Sequence, residues 1–311
     1  MDAQKDRLYR SFSSFLHEKF GERVYKVSID AGFTCPNRDG TLGVGGCGYC
    51  NNQGFSHNTR AASRPVREQV LGGIEYMSRR YKAKKFIAYF QAYTNTYAPV
   101  DRLKKLYDEA FCHPDIVGLS IGTRPDCVGE PVLDLVESYA ERCHVWLELG
   151  LQSARNSTLA RINRGHTVEV FEDAVKRVKK RNNILTCAHV ILGLPGETRR
   201  DMLASADLFT RLGVDGVKTH LMHVLRNTPI EELYNRGEFE PFTMNQYADL
   251  VADYLERLAP DVVIQRLTAD APPDVLVAPE WASRKKETIA HIEKVLRRRG
   301  TRQGARAKVF A

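Results

Sequence analysis

Short runs dense in β-branched and aromatic residues alternate along the chain with longer stretches of helical periodicity. The runs VYKVSID (24–30), KFIAYFQ (85–91), IVGLSIG (116–122), HVWLELGL (144–151), ILTCAHVIL (184–192) and VDGVKTHLM (214–222) predict six strands. Several are apolar at nearly every position, as strands covered on both faces by helices should be. Helical periodicity over 64–81, 100–111, 130–142, 167–181 and 198–212 fills the intervals. Such alternation predicts βαβ units around a parallel sheet. Periodicity alone leaves open a doubly wound sheet and a barrel, complete or partial. In either case ligands bind at the carboxyl ends of the strands. Those ends carry Asp30, Gln91, Thr123, Arg124, Gln152, the turn GLPG (193–196) and His220. After residue 223 the pattern changes to a loop, a helix over 243–258, a strand VVIQRL (262–267), an Ala/Pro-rich loop and a basic terminal helix.

Composition narrows the class. With 311 residues, 43% hydrophobic and 27% charged, the chain can bury a sizeable core, and pervasive disorder is excluded. No segment approaches a membrane span, and the first residues lack the apolar core of a secretory leader, so a cytoplasmic location is expected. Seven cysteines, an odd number, favour metal or catalytic use over a disulfide framework. The net charge of +8 is concentrated. From Trp281 to Ala311 there are ten Lys or Arg and two Glu, which leaves the rest of the chain neutral. A basic tail of this kind suits a polyanion, nucleic acid foremost, or else it is a solvated amphipathic helix.

The most informative stretch is Cys35-x11-Cys47-x2-Cys50, directly after the first strand in a loop that holds Gly40, Gly43, Gly45, Gly46, Gly48 and Gly54. Such a loop can fold tightly around a metal. Three thiolates leave an open position: a structural zinc site wants four protein ligands, whereas a three-cysteine iron–sulfur cluster keeps one iron free. Zinc with His57 as fourth ligand is the alternative on ligand type. Cys112, Cys127, Cys143 and Cys187 stand singly and read as small core residues. Glu148, on a strand rich in apolar residues, is a carboxylate that needs a partner.

Three cysteines after the first strand of a β/α chain, with Tyr49 before the last, resemble the radical S-adenosylmethionine (SAM) superfamily. The long first gap resembles the branch holding the catalytic subunit of Elongator and the YtqA/YhcC-like proteins. SIGTRPD (120–126), LELGLQS (147–153), INRGHT (162–167) and ILGLPGET (191–198) agree with that branch in order and in their places at strand ends. The whole chain, including RLTADAPPDVLVAPEW (266–281), looks most like the YtqA/YhcC-like family.

The resemblance implies an α/β fold: a partial (β/α)6 barrel over 1–235, with the cluster loop at 31–57, and a C-terminal helical, basic extension over 236–311. It implies that Cys35, Cys47 and Cys50 ligate a [4Fe–4S] cluster whose free iron takes SAM, and that SAM is reductively cleaved to a 5′-deoxyadenosyl radical. Tyr49, Gln91, Glu148, Gln152, Arg164 and His189 are then expected around SAM. Arg164, twelve residues after Gln152, is placed on the methionine carboxylate, which a planar guanidinium can grip in bidentate fashion. Many relatives have a Gly-Gly-Glu-type segment after the second strand; FQAYTNT (90–96) stands there instead, so Gln91 to Thr94 would serve through backbone groups, and Asn95 and Thr96 become substrate candidates. His220 and His223 are candidates for substrate contact or proton transfer.

The resemblance further implies an electron donor such as flavodoxin or ferredoxin, and tRNA as substrate, modified at the C5 side chain of a wobble uridine. The basic tail would dock the tRNA through one face carrying Lys294, Arg298 and Arg302. Rival readings are a radical SAM enzyme acting on a small metabolite and a non-catalytic zinc- and RNA-binding protein.

Overall fold

In the computed structural model, which describes residues 8–51 and 64–310, all six expected strands form. They are β1 (Val24–Ile29), β2 (Lys85–Phe90), β3 (Ile116–Thr123), β4 (His144–Gln152), β5 (Ile184–Leu192) and β6 (Gly216–Leu221). Two short strands, β7 (Val224–Leu225) and β9 (Leu276–Ala278), pair antiparallel with each other. Between them β8 (Val263–Arg266), the VVIQRL run, joins the main sheet as a seventh strand. The sheet is parallel throughout, in the order β1-β2-β3-β4-β5-β6-β8. No strand order reverses, so the doubly wound alternative, which needs a switch point, is set aside for a singly wound half-barrel.

The apolar runs explain the layering. β2 and β4 are buried at almost every residue. The helices between strands, among them Val66–Tyr81, Val100–Ala110, Glu130–Ala140, Val168–Val178 and Arg199–Leu212, turn apolar stripes onto that sheet. Thr198 and Thr243 start the helices Arg199–Leu212 and Met244–Arg257 with reciprocal capping boxes to Asp201 and Gln246.

Helix Phe12–Phe20 has no counterpart in the periodicity reading. It packs on both edge strands, β1 and β8, and sets Phe12 and Phe15 edge-on against the buried Trp146 indole at 5.9 and 5.7 Å. The residues just before it protect the β8 edge, because the Ile264 amide donates to the Arg10 carbonyl at 2.8 Å.

The C-terminal segment folds back onto the body. Helix Lys285–Arg299 packs on Met244–Arg257 and stops at Gly300, which takes the left-handed conformation. Arg302 therefore lies beyond the helix and does not continue a face with Lys294 and Arg298, which corrects the stripe expected from the sequence. Arg299 pairs with Asp249 (3.1 Å), Asp253 (2.7 Å) and Glu256 (3.4 Å). Arg306 pairs with Glu256 (3.1 Å) and Lys308 with Asp207 (2.7 Å). Buried Gln303 donates to the carbonyls of Ala259 (2.7 Å) and Val262 (2.8 Å) and accepts from the Arg10 amide (2.9 Å). Among the described residues no helix is long and apolar enough to cross a membrane.

Candidate active site

The carboxyl ends of the strands open into one cavity of about 1140 Å³, solvent mouth included. The structure brings all nine expected site residues to its wall: Cys35, Cys47, Tyr49, Cys50, Gln91, Glu148, Gln152, Arg164 and His189. His220 and His223 line it too, whereas Asn95 and Thr96 are buried behind it. Asn95 donates to the carbonyls of Gly122 (2.7 Å) and Phe90 (3.2 Å), and Thr96 bonds Thr123 (2.6 Å) and the Cys127 carbonyl (2.6 Å). Both are thereby engaged in joining strand ends. His57 lies outside the described residues, and so do Gly54 and the end of the loop at 52–57.

The cysteine loop is held by the chain itself. Asn37 reaches the Asn163 carbonyl at 2.5 Å, Asn163 reaches the Gly46 carbonyl at 2.9 Å, and Arg38 reaches the Cys50 carbonyl at 2.7 Å. Gly48 bonds through both backbone groups, its amide to the Ile162 carbonyl (2.8 Å) and its carbonyl to the Ile230 amide (3.2 Å). Gly46 is required on two grounds: its φ is +86°, and a Cβ there would meet the Arg38 Nε at 2.8 Å. Among the described residues, no three His, Cys, Asp or Glu side chains are already gathered around a metal position.

Arg164 joins this loop to β4. Its guanidinium donates to the Cys47 Sγ at 3.6 Å and to the Gly150 carbonyl at 2.5 Å, while its buried Nε has no partner among the described residues. Gly150 makes the approach possible, since a Cβ there would meet Gln152 at 2.6 Å and Arg164 at 2.7 Å. Arg124, from the SIGTRPD segment, clamps Asp126 with two bonds (2.9 and 2.8 Å) and donates to the Arg164 carbonyl at 2.8 Å. Burial opposes ionisation of Cys47, but Arg164, Arg124 and Asn37 outweigh it and hold its thiol below the ordinary value. Cys50 goes the other way, to about 11, through burial and the neighbouring Cys47 charge.

Deeper in the cavity, Glu148 is fully buried on β4 and accepts five hydrogen bonds. Lys26 (2.5 Å) and Ser120 (2.5 Å) reach Oε1; His189 (2.8 Å), Tyr89 (3.0 Å) and Lys218 reach Oε2. Lys26 also donates to Gln265 at 2.8 Å. Burial raises the carboxyl, but the two lysines and His189 overcome it and keep Glu148 ionised. Lys218 is drawn down to about 7, by burial first; Glu148 opposes this, and Lys26 and Arg266 add to it. Burial takes His189 to about 4, and burial with Arg266 leaves His220 neutral. Lys26, Tyr89, Ser120, Lys218 and Arg266 escaped the sequence reading. The available signal was a lysine inside each of two predicted strands, VYKVSID and VDGVKTHLM.

With this geometry in hand, the chain can be set beside known proteins. The profile described as Radical SAM superfamily matches residues 35–209, and the one described as Radical_SAM C-terminal domain matches 214–298. YtqA of Bacillus subtilis is 38% identical over 299 residues, covering 96% of this chain and 92% of its own. A tRNA uridine(34) acetyltransferase of Methanocaldococcus infernus is 30% identical over 168 residues, which is 52% of this chain and 30% of that protein. The solved structure of the M. infernus Elp3 shares the fold with a TM-score of 0.67 at 20% identity, over 90% of this chain and 64% of that one. The chain therefore belongs to the radical SAM superfamily, among the YtqA/YhcC-like proteins; it is a radical SAM enzyme, and its family's cofactors are a [4Fe–4S] cluster and SAM.

Proposed function

We propose that this enzyme modifies tRNA by remodelling the C5 side chain of a wobble uridine, with electrons from a donor such as flavodoxin or ferredoxin. The observation that carries the choice of substrate is the match, over half of the chain, to a protein named for tRNA uridine(34). The residues fit the cofactors. Three thiols line the cavity, and the buried Nε of Arg164, without a partner among the described residues, is a donor in want of an anion. Cys35, Cys47 and Cys50 hold the cluster, and Arg164 receives the methionine carboxylate beside Cys47. Bound there, cluster and SAM supply one-electron cleavage of the C5′–S bond and hydrogen-atom abstraction from substrate. The chain's own work is positional. Arg124 fixes the backbone of Arg164, and Gly150 admits both Arg164 and Gln152.

Anaerobic reconstitution followed by assay of 5′-deoxyadenosine, with and without tRNA, tests the reading. Cleavage stimulated by tRNA, and abolished by Cys35→Ala, Cys47→Ala or Cys50→Ala, is the expected result. Stoichiometric zinc in a colourless protein sinks the cluster assignment; cleavage indifferent to tRNA sinks the substrate assignment.

A further inference from the structure

The cavity has a second cationic end that the cysteine loop and Arg164 leave unused. β5, β6 and β8 place His189, Lys218 and Arg266 abreast: His189 is in register with Lys218, and Lys218 with Arg266. His220, two residues beyond Lys218, continues the same face of β6, and its ring lies 5.4 Å from that of His189. Lys218 is already committed to Glu148 and Tyr89. Arg266 is not committed. It is half-buried and lines the cavity; among the described residues its guanidinium meets no carboxylate within 4 Å and donates no hydrogen bond. The His220 Nε2 is buried and likewise lacks a partner among the described residues.

Charge sharpens the point. Glu148 is the single carboxylate among the described residues lining the cavity, and it is already paired with Lys26 and Lys218. No carboxylate of the cavity wall is left over for Arg266, so this end has an unanswered guanidinium that an anion can meet. Arg266 offers a planar fork, and His220 in its Nε2–H tautomer offers a further donor. The anion in question is not the SAM carboxylate, which is assigned to Arg164 beside Cys47 and the Gly150 carbonyl of β4, a strand three places along the sheet from β8.

We propose that Arg266 and His220 form a substrate subsite for an anionic group, a carboxylate or a phosphate, at the β6–β8 end of the cavity. The proposal rests on the reading of this cavity as the SAM-dependent site. A carboxylate would come from a substituent of the reacting base or of a small molecule; a phosphate would come from a nucleotide backbone.

Thermal unfolding of the reconstituted, SAM-loaded protein, titrated with acetate or with inorganic phosphate against chloride at equal ionic strength, tests the subsite. Saturable stabilisation by at least one of the two anions is expected in the wild type. Arg266→Gln should weaken that binding by roughly 10–100-fold, the range for charge-assisted hydrogen bonds, and Arg266→Lys by less. The anion-free melting temperature of each variant checks that it folds. Preference for acetate supports the subsite and assigns it to a carboxylate; preference for phosphate supports it and assigns a nucleotide backbone. Equal affinity in wild type and both variants, or no saturable binding of either anion, overturns the proposal. Failure of the tRNA reading is seen separately, as anion binding that persists while tRNA leaves 5′-deoxyadenosine formation unchanged.

Discussion

The C-terminal segment and the floor of the cavity both concentrate positive charge, and they dispose of it in opposite ways. The segment holds the chain's whole formal excess, yet Arg299, Arg306 and Lys308 meet four carboxylates of the body at its surface. The floor contributes little to that arithmetic, yet it sets two lysines against one buried glutamate and leaves Arg266 with no carboxylate among the described residues. Net charge by segment therefore locates lysines and arginines, not unanswered charge.

Substitution at the two places should separate them by size. Glu148→Gln leaves Lys26 and Lys218 buried without a counter-charge, so a loss of about 3–5 kcal/mol is expected in chemical denaturation. Adding Lys218→Met should recover part of it, and recovery of none would show that the lysine is not the strained partner. The pH dependence has a definite sign. The folded-state pKa of Glu148 is depressed, so its contribution is full above the unfolded carboxylate value of about 4.5 and is lost as pH falls through the folded one. The stability gap between wild type and Glu148→Gln should accordingly narrow below about pH 4.5, and a gap independent of pH would contradict the ionised assignment.

Arg299→Gln sits on the other side of the comparison. Its guanidinium is a quarter exposed and shares three carboxylates, so a loss of about 1 kcal/mol is expected in the same assay. A loss as large as that of Glu148→Gln would erase the distinction drawn above.

The smallest effect on stability belongs to Lys286, Lys294 and Arg302, exposed cations with no ion pair among the described residues. If the tail meets tRNA, these three are the charges free to do it. Replacing all three by Gln should leave folding within about 0.5 kcal/mol. The salt dependence of tRNA binding should flatten by roughly 0.7–0.9 for each phosphate that is no longer neutralised. An unchanged slope would make the segment a structural clasp and nothing more.

What is legible in the sequence follows from which forces act locally. Six strands can be read because each is a dense apolar run, and the three cysteines, Gln91 and Gln152 because a Gly-rich loop and strand ends concentrate unusual side chains, whereas Tyr49, Arg164 and His189 are expected only through the family resemblance. Helix Phe12–Phe20 cannot, since its nine residues are fixed by Trp146 and by the two sheet edges, partners remote in sequence. VVIQRL reads as a strand, but nothing in its own residues says that it extends the main sheet. Glu148 stands out as a carboxylate needing a partner. Its five donors come from strands β1, β2, β3, β5 and β6, so no window of sequence could assemble them. The Lys294–Arg298–Arg302 stripe fails for a local reason: basic residues followed by glycine are a helix stop, and Gly300 is that stop.

The hydrogen bonds of the cysteine loop bear on how the enzyme matures. Small metal-binding modules often acquire their shape from the ion they bind, and a chelator unfolds them. Here the Asn37–Asn163 and Asn163–Gly46 bonds, with both backbone groups of Gly48, tie the loop to the rest of the chain through carbonyls and amides, and Arg38 closes the loop on itself at the Cys50 carbonyl. The fold around the loop can thus form before the inorganic centre is loaded. Chelated protein should retain its circular dichroism spectrum and accept iron and sulfide again without a refolding step; a loss of helical signal on chelation would place metal insertion within folding.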